Sequence, residues 1–167
     1  LLILGISGIC MGAGVLMSEY FGAGGQERLR REVATTLLFG LFFSMAVALA
    51  GIVCAVPLLR LLQAPDELLS MTTLYLRIIF LGAPFTYFYN ALAAALKSVG
   101  DARTPLRFLM LSSVFNIVLD LIFIGLLGFG TICPAVTTVV AEAVSAVLSI
   151  GYIYRRVPML QLRWCEW

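Results

Sequence analysis

Two polar side chains, Asn116 and Asp120, lie four residues apart inside a long apolar stretch of this chain. Residues four apart share one face of an α-helix. A carboxylate in an otherwise uncharged stretch is costly where the surrounding solvent is hydrocarbon, so such a residue usually faces a cavity or a polar partner. A carboxylate beside an amide can bind a proton or a small cation. This pair is therefore the first candidate for a functional site.

The composition indicates a membrane protein. Hydrophobic residues make up 62% of the chain and charged residues 12%, whereas a soluble domain is about 25% charged. The charges gather in short joints between long apolar runs, which is typical of a polytopic all-α bundle whose partner is the lipid bilayer. Histidine is absent, and the four cysteines have no CxxC spacing that would predict a metal or disulfide site. The short arginine run next to Glu27 and Glu32 does not indicate nucleic-acid binding.

The apolar runs predict five membrane-spanning helices along residues 1–167, without a second domain among them. In the second run, Gly40, Ser44 and Ala48 recur at spacings of four and give that helix a face of small residues. The predicted spans cover approximately residues 1–18, 33–59, 68–96, 105–127 and 133–154.

The distribution of Lys and Arg predicts the orientation of these spans. One set of joints, after spans one and three and in the tail, contains nine of these residues, and the opposite set contains only Arg60. Cytoplasmic loops carry the excess of positive charge, so we expect a multi-pass protein of the plasma (inner) membrane with a cytoplasmic carboxyl terminus. Five spans that begin outside, without an initiator Met, also predict a further helix before Leu1. The nine are Arg28, Arg30, Arg31, Lys97, Arg103, Arg107, Arg155, Arg156 and Arg163.

Helical spacing extends the candidate site to a second helix. Asp120 is expected ~12 Å and Glu142 ~13 Å from the outer end of spans four and five, at 1.5 Å per residue. The two carboxylates are thus predicted at similar depth on neighbouring helices. Each belongs to a polar stripe, and facing stripes would line a wet pocket reached from outside. The stripes are Ser112, Asn116 and Asp120 on span four, and Thr138, Glu142, Ser145 and Ser149 on span five.

The chemistry of this pocket leaves several functions open. A desolvated carboxylate can exchange a proton near neutral pH, or bind Na⁺ together with Asn and Thr oxygens, and a negative pocket attracts organic cations. Asp120 and Asn116 could instead only join neighbouring helices, as in a structural subunit. A membrane-embedded enzyme could use Asp120 and Glu142 as an acid and a base, but no nucleophile or cluster of metal ligands accompanies them. We therefore expect a protein that is not an enzyme.

Several motifs, in order and with matching spacing, resemble the multidrug and toxic compound extrusion (MATE) transporters. Residues 57–84 contain PLL, LQAP, YLRI and GAP. Residues 100–120 contain GDARTP and NIVLD, and the early GAG is followed by arginines at residues 22–31. The resemblance covers nearly the whole chain. It implies helices two to six of the amino-terminal six-helix lobe of a twelve-helix transporter.

The resemblance also implies a function and roles for particular residues. Members exchange H⁺ or Na⁺ for cationic drugs, so no cofactor is expected beyond the coupling ion. Asn116 and Asp120 fall on the cation-coupling Asn and Asp of the family's fifth helix, and Thr138 falls on a pocket Thr of the sixth. Na⁺ would then be held by Asp120, Asn116 and Thr138. Implied partners are small cationic substrates, the first helix and the carboxy-terminal lobe. A lipid-linked oligosaccharide flippase of the same superfamily is the alternative.

Overall fold

The computed structural model describes residues 2–63, 65–126 and 132–160, and nearly all of them are helical. No strand occurs within these ranges, and the prediction of an all-α bundle is confirmed. The fourth helix continues directly into a π-helical segment, Leu121–Leu126, and a short 3₁₀ turn, Pro158–Leu160, follows the fifth. The helices are α1 (Leu2–Gly22), α2 (Gln26–Leu61), α3 (Asp66–Ser98), α4 (Arg103–Asp120) and α5 (Cys133–Arg156).

Four stretches of the described chain are long and apolar enough to cross a membrane: Gln26–Leu61, Leu68–Ser98, Arg103–Gly125 and Cys133–Arg156. The predicted first span coincides with α1, whose role as a fifth span remains a prediction. At 1.5 Å per residue, the 36 residues of α2 measure ~54 Å, far more than a hydrocarbon layer of ~30 Å. Its arginine-rich beginning therefore projects beyond the apolar layer. The predicted end of span four at residue 127 and the tail residue Arg163 lie outside the described ranges.

Helix α3 is the centre of the bundle. It packs against α1, α2 and α5, whereas α4 packs mainly against α5. The core accordingly contains α3 residues such as Tyr87, Ala95 and Leu96 together with Ile6 and Met17 of α1. Both Pro57 and Pro84 are accommodated inside helices, α2 and α3 respectively. Proline inside a transmembrane helix is tolerated where neighbouring groups satisfy the freed backbone carbonyl.

The contact of α2 with α3 depends on Gly40. The phenol ring of the fully buried Tyr87 lies directly against the α-carbon of Gly40, in the space that a Cβ atom would occupy. The hydroxyl of Tyr87 donates a hydrogen bond of 2.9 Å to the carbonyl oxygen of Thr36, one turn earlier on α2. Gly40, Ser44 and Ala48 are all buried, which confirms the predicted face of small residues.

Apolar side chains cover the outside of the bundle, and small polar ones lie inside it. Phe42 and Val53 are 75% and 74% exposed, whereas Ser44 and Ser149 are almost completely buried. A soluble domain would not expose so many large apolar side chains, whereas here hydrocarbon is the external solvent. The structure thus supports a bundle that exposes its apolar side chains to lipid.

Asp101 connects the turn between α3 and α4 to the far end of α5. One carboxylate oxygen accepts the backbone N–H of Thr104 at 3.1 Å, and the other accepts the hydroxyl of Tyr152 at 3.1 Å. The Tyr152 ring packs edge-on against Phe108 of α4. Partial burial works against ionisation of Asp101, but the hydrogen bonds from Thr104, Tyr152 and the Arg103 backbone outweigh it and lower the pKa of the carboxyl below its ordinary value.

We predict that Gly40→Ala lowers the thermal unfolding midpoint of the detergent-solubilised protein, because the added Cβ would overlap the Tyr87 ring. Overpacking of this kind costs ~1–3 kcal/mol, more than the ~1 kcal/mol that Ala gains over Gly in a helix. Gly151→Ala on α5 is the matched control, because its Cβ would meet no atom within 4 Å. An equal or higher midpoint for Gly40→Ala would contradict the close contact of α2 with α3.

We predict that Asp101→Ala destabilises the protein by about 1–2 kcal/mol at neutral pH through loss of the helix-capping interaction. Because the folded-state pKa of Asp101 is lowered, this contribution is present above the unfolded pKa and disappears as pH falls through the folded pKa. The difference from the wild type in thermal melts should therefore shrink below pH ~4. Tyr152→Phe keeps the ring and loses one hydrogen bond, so it should give a smaller effect. A pH-independent difference would contradict this role.

Candidate functional site

Asp120 is the last residue of α4 before the π-helical segment, and its partner is Thr137 of α5. The Thr137 hydroxyl donates to Oδ1 of Asp120 at 2.5 Å. Thr137 is 2% exposed, and Asp120 is half-buried. Sequence reasoning chose the neighbouring Thr138 and missed Thr137. Thr137 is four residues before Ala141, and both are buried on the same face of α5.

Asn116, one turn before Asp120, faces Thr138. Its amide nitrogen lies 3.4 Å from the Thr138 hydroxyl oxygen, a long contact. That hydroxyl donates a shorter hydrogen bond, 2.7 Å, to the carbonyl oxygen of Pro134. Pro134 stands in the first turn of α5. The two consecutive threonines of α5 thus contact two α4 residues that are one helical turn apart.

Ser112 completes the polar stripe of α4. Its hydroxyl donates to the carbonyl oxygen of Ala141 on α5 at 3.0 Å. Ser112, Asn116 and Asp120 therefore all contact α5, each one turn from the next. Three side-chain contacts of this kind align the two helices along two turns. The structure brings these three predicted residues and Thr138 into one interface.

Glu142, the other predicted carboxylate, is separate from this interface. Its Oε2 accepts a hydrogen bond of 2.5 Å from the hydroxyl of Thr86 on α3. Glu142 lies five residues after Thr137, the residue that contacts Asp120, and is therefore ~7.5 Å further along α5 than that contact. This spacing does not support the predicted similar depth of the two carboxylates. A π-helical segment, Leu121–Leu126, follows Asp120 on α4.

A cavity of about 400 Å³ separates α1, α3, α4 and α5 next to Glu142. Its lining is mixed, with hydroxyl, amide, carboxylate and ammonium groups among apolar side chains. Asp120, Asn116 and Thr138 do not line it. A second cavity of about 480 Å³ adjoins it along α1 and shares Ser7, Asn90, Ala93 and Lys97 with it. The polar residues of the first cavity are Ser7, Thr86, Tyr89, Asn90, Lys97, Ser112, Glu142 and Ser145.

The surroundings of Asp120 suit a carboxylate that changes its protonation or ion-binding state. The oxygen of Thr137 lies 3.1 Å from the carbonyl oxygen of Cys133 and 3.2 Å from that of Pro134. A hydroxyl both donates and accepts. Thr137 can therefore donate to ionised Asp120, or accept from protonated Asp120 while donating to a carbonyl. The clustered oxygens are also the ligand type that hard cations such as Na⁺ prefer.

Comparison with known proteins agrees with this fold. A family model described as MatE matches residues 1–122. The probable multidrug resistance protein YoeA of Bacillus subtilis is 32% identical over 158 residues, which cover 92% of this chain and 34% of that protein. The chain spans about a third of the length of the curated relatives it matches.

Solved structures share the same helix arrangement. The inward-facing conformation of a multidrug resistance MATE family transporter of the MOP superfamily is 26% identical and superposes with a TM-score of 0.91, over 99% of this chain and 38% of that one. A crystal structure of MATE in complex with MaD3S is 24% identical, with a TM-score of 0.93 over 99% of this chain and 38% of that chain. The helices, the family model and the curated relatives together show that the chain belongs to the MatE family of multidrug efflux transporters, which are membrane transporters rather than enzymes.

Proposed function

We propose that this chain forms part of one lobe of a cation-coupled antiporter that exports organic cations by alternating access. The observation that carries the proposal is the contact of Asp120 with Thr137 between two membrane-spanning helices. A carboxylate held there favours cations, and its charge can be neutralised by H⁺ or Na⁺. The membership of the chain in a multidrug transporter family supports this reading.

The coupling site consists of Asp120, Asn116 and Thr138, with Thr137 as the direct partner of the carboxylate. H⁺ would neutralise Asp120, whereas Na⁺ would also use the amide oxygen of Asn116 and a threonine hydroxyl. Ser112 lines the cavity beside Glu142 and belongs to both polar regions. The cavity next to Glu142 would receive the cationic substrate.

We place the transporter in the plasma membrane with the end of α5 on the cytoplasmic side. The charges support this orientation, because the beginning of α2 and the end of α5 both carry exposed arginines. The relatives are about three times as long as this chain, so transport is proposed for the full-length protein, with a first helix and a second lobe. In such transporters one lobe or repeat moves relative to the other around the site.

We predict that Asp120→Asn in the full-length protein reduces ethidium efflux from cells at least about tenfold, equivalent to ~1.4 kcal/mol, since the amide cannot exchange a cation. Thr137→Val removes a hydrogen bond to a charged group, worth ~1.5–3 kcal/mol, and should also impair efflux. Glu19→Gln and Thr35→Val are matched controls, because both residues are exposed and Thr35 bonds only its own helix.

Efflux assays should include proton and sodium gradients set separately and expression levels for every variant. Normal efflux by Asp120→Asn, with unchanged dependence on pH and Na⁺, would refute the coupling site. If the wild type exports no cation but moves a lipid-linked anionic sugar, and Asp120→Asn loses that transport, the result would favour the flippase instead.

A further inference from the structure

Glu142 is the buried titratable group that the coupling site leaves unexplained. It is half-buried in the middle of α5, and among the described residues its contact is with Thr86 of α3, not with the α4 stripe. Ser145, one turn later on α5, lines the same cavity and is 2% exposed, yet its hydroxyl has no hydrogen-bond partner. Buried hydroxyls are rarely left unpaired. The cavity is therefore expected to hold water or a polar ligand that bonds Ser145.

We propose that Glu142 is a second proton-binding site, distinct from Asp120, which exchanges its proton through the polar cavity that extends towards Lys97. The proposal rests on the proposed antiport function and adds a second proton to each transport cycle. It assigns the cavity a role in carrying water and protons as well as substrate.

Thr86 provides the switch that such a site requires. Its hydroxyl oxygen lies 2.5 Å from Oε2 of Glu142 and 3.3 Å from the carbonyl oxygen of Gly82. When Glu142 is ionised, Thr86 donates its hydrogen to the carboxylate. When Glu142 is protonated, its O–H donates to the Thr86 oxygen, and the Thr86 hydrogen turns to Gly82. Both states keep every hydrogen bonded, so neither leaves a buried donor without an acceptor.

The cavity provides the route by which a proton would move between Glu142 and the end of α3 near Lys97. From Glu142 it passes Asn90 and Ser145 and reaches Lys97 in the last turn of α3, and the adjoining cavity continues along α1 to Ser18. Hydroxyl and amide groups along the route can order a chain of water molecules. By the orientation proposed above, Lys97 is at the cytoplasmic end.

Charged and titratable groups lie near Glu142 on the neighbouring helices α1, α3 and α4. From α3, Lys97 and Tyr89 line the same cavity, and from α4 the nearest carboxylate is Asp120, about one and a half turns away by its contact with Thr137. From α1, Ser7 lines it, and Cys10 lines the adjoining cavity. Within the described ranges, Lys97 is the one other charged side chain in this cavity.

The test is the number of protons exchanged per substrate in proteoliposomes that contain the full-length transporter. With tetraethylammonium, which crosses lipid slowly, as the substrate, and with no membrane potential and no Na⁺, accumulation at equilibrium should rise about a hundredfold per pH unit if two protons exchange and about tenfold if one does. We expect Glu142→Gln to reduce the dependence from two protons to one, and Glu142→Asp to restore two. Glu19→Gln should leave it at two. Asp120→Asn should likewise reduce it to one, because the proton on Glu142 remains.

The outcomes separate the two claims. If Glu142→Gln keeps the two-proton dependence while Asp120→Asn lowers it, the Glu142 site is wrong and the coupling site stands. If the wild type shows a one-proton dependence or none, the Glu142 site is also wrong. If neither variant changes a two-proton dependence, both proposals fail.

A second measurement tests the proposal even if the Glu142→Gln variant does not transport substrate. Infrared difference spectra of the detergent-solubilised protein between acidic and alkaline pH report each buried carboxyl group that gains a proton. One component of the protonated carboxyl band should be missing in Glu142→Gln and present in Glu19→Gln and Asp120→Asn. A complete band in Glu142→Gln would overturn the proposal.

Discussion

The hydrogen bond from Thr137 to Asp120 is the interaction on which the arrangement of α4 and α5 depends. In hydrocarbon a carboxylate needs a partner, and few groups other than a neighbouring helix can supply one. Asn116 and Ser112, one and two turns earlier on α4, also contact polar groups of α5. The register of the two helices is therefore set by the same residues that we propose bind the coupling ion. A change in the charge of Asp120 acts directly on a helix contact.

The remaining helices form the support for this interface. Helix α3 lies between α2 and α5, and it can approach both closely because glycines replace larger side chains at the contacts. Gly40 of α2 accommodates the Tyr87 ring, and Gly82 of α3 faces Val139 of α5, where a Cβ would come within 2.6 Å of the valine side chain. Thr86, one turn after Gly82, contacts Glu142. The close packing of α3 on α5 thus positions the second carboxylate as well.

The sequence was sufficient to predict the class of fold. Segments surrounded by hydrocarbon must be apolar and the joints exposed to water can be charged, so the pattern of apolar runs and charged joints shows which segments span the membrane. The α4 stripe was equally predictable, since Ser112, Asn116 and Asp120 follow helical spacing. The partner of Asp120 was not, because a choice between Thr137 and Thr138 requires the rotation of α5 about its axis. The contact of Thr86 with Glu142 could not be predicted either, because it depends on how α3 packs on α5, which is a tertiary property.

The central claim is that binding of the coupling ion at Asp120 opposes binding of the substrate in the neighbouring cavity. The most direct test measures the affinity of the full-length transporter for tetraphenylphosphonium as pH and Na⁺ concentration are varied separately. Linkage requires that the logarithm of the dissociation constant change with the logarithm of the competing ion's concentration, with a slope of about one for each ion displaced. The account predicts such a slope for H⁺ or Na⁺ in the wild type and a slope lower by about one in Asp120→Asn. Equal slopes in the two proteins, or no slope for either ion in the wild type, would contradict it.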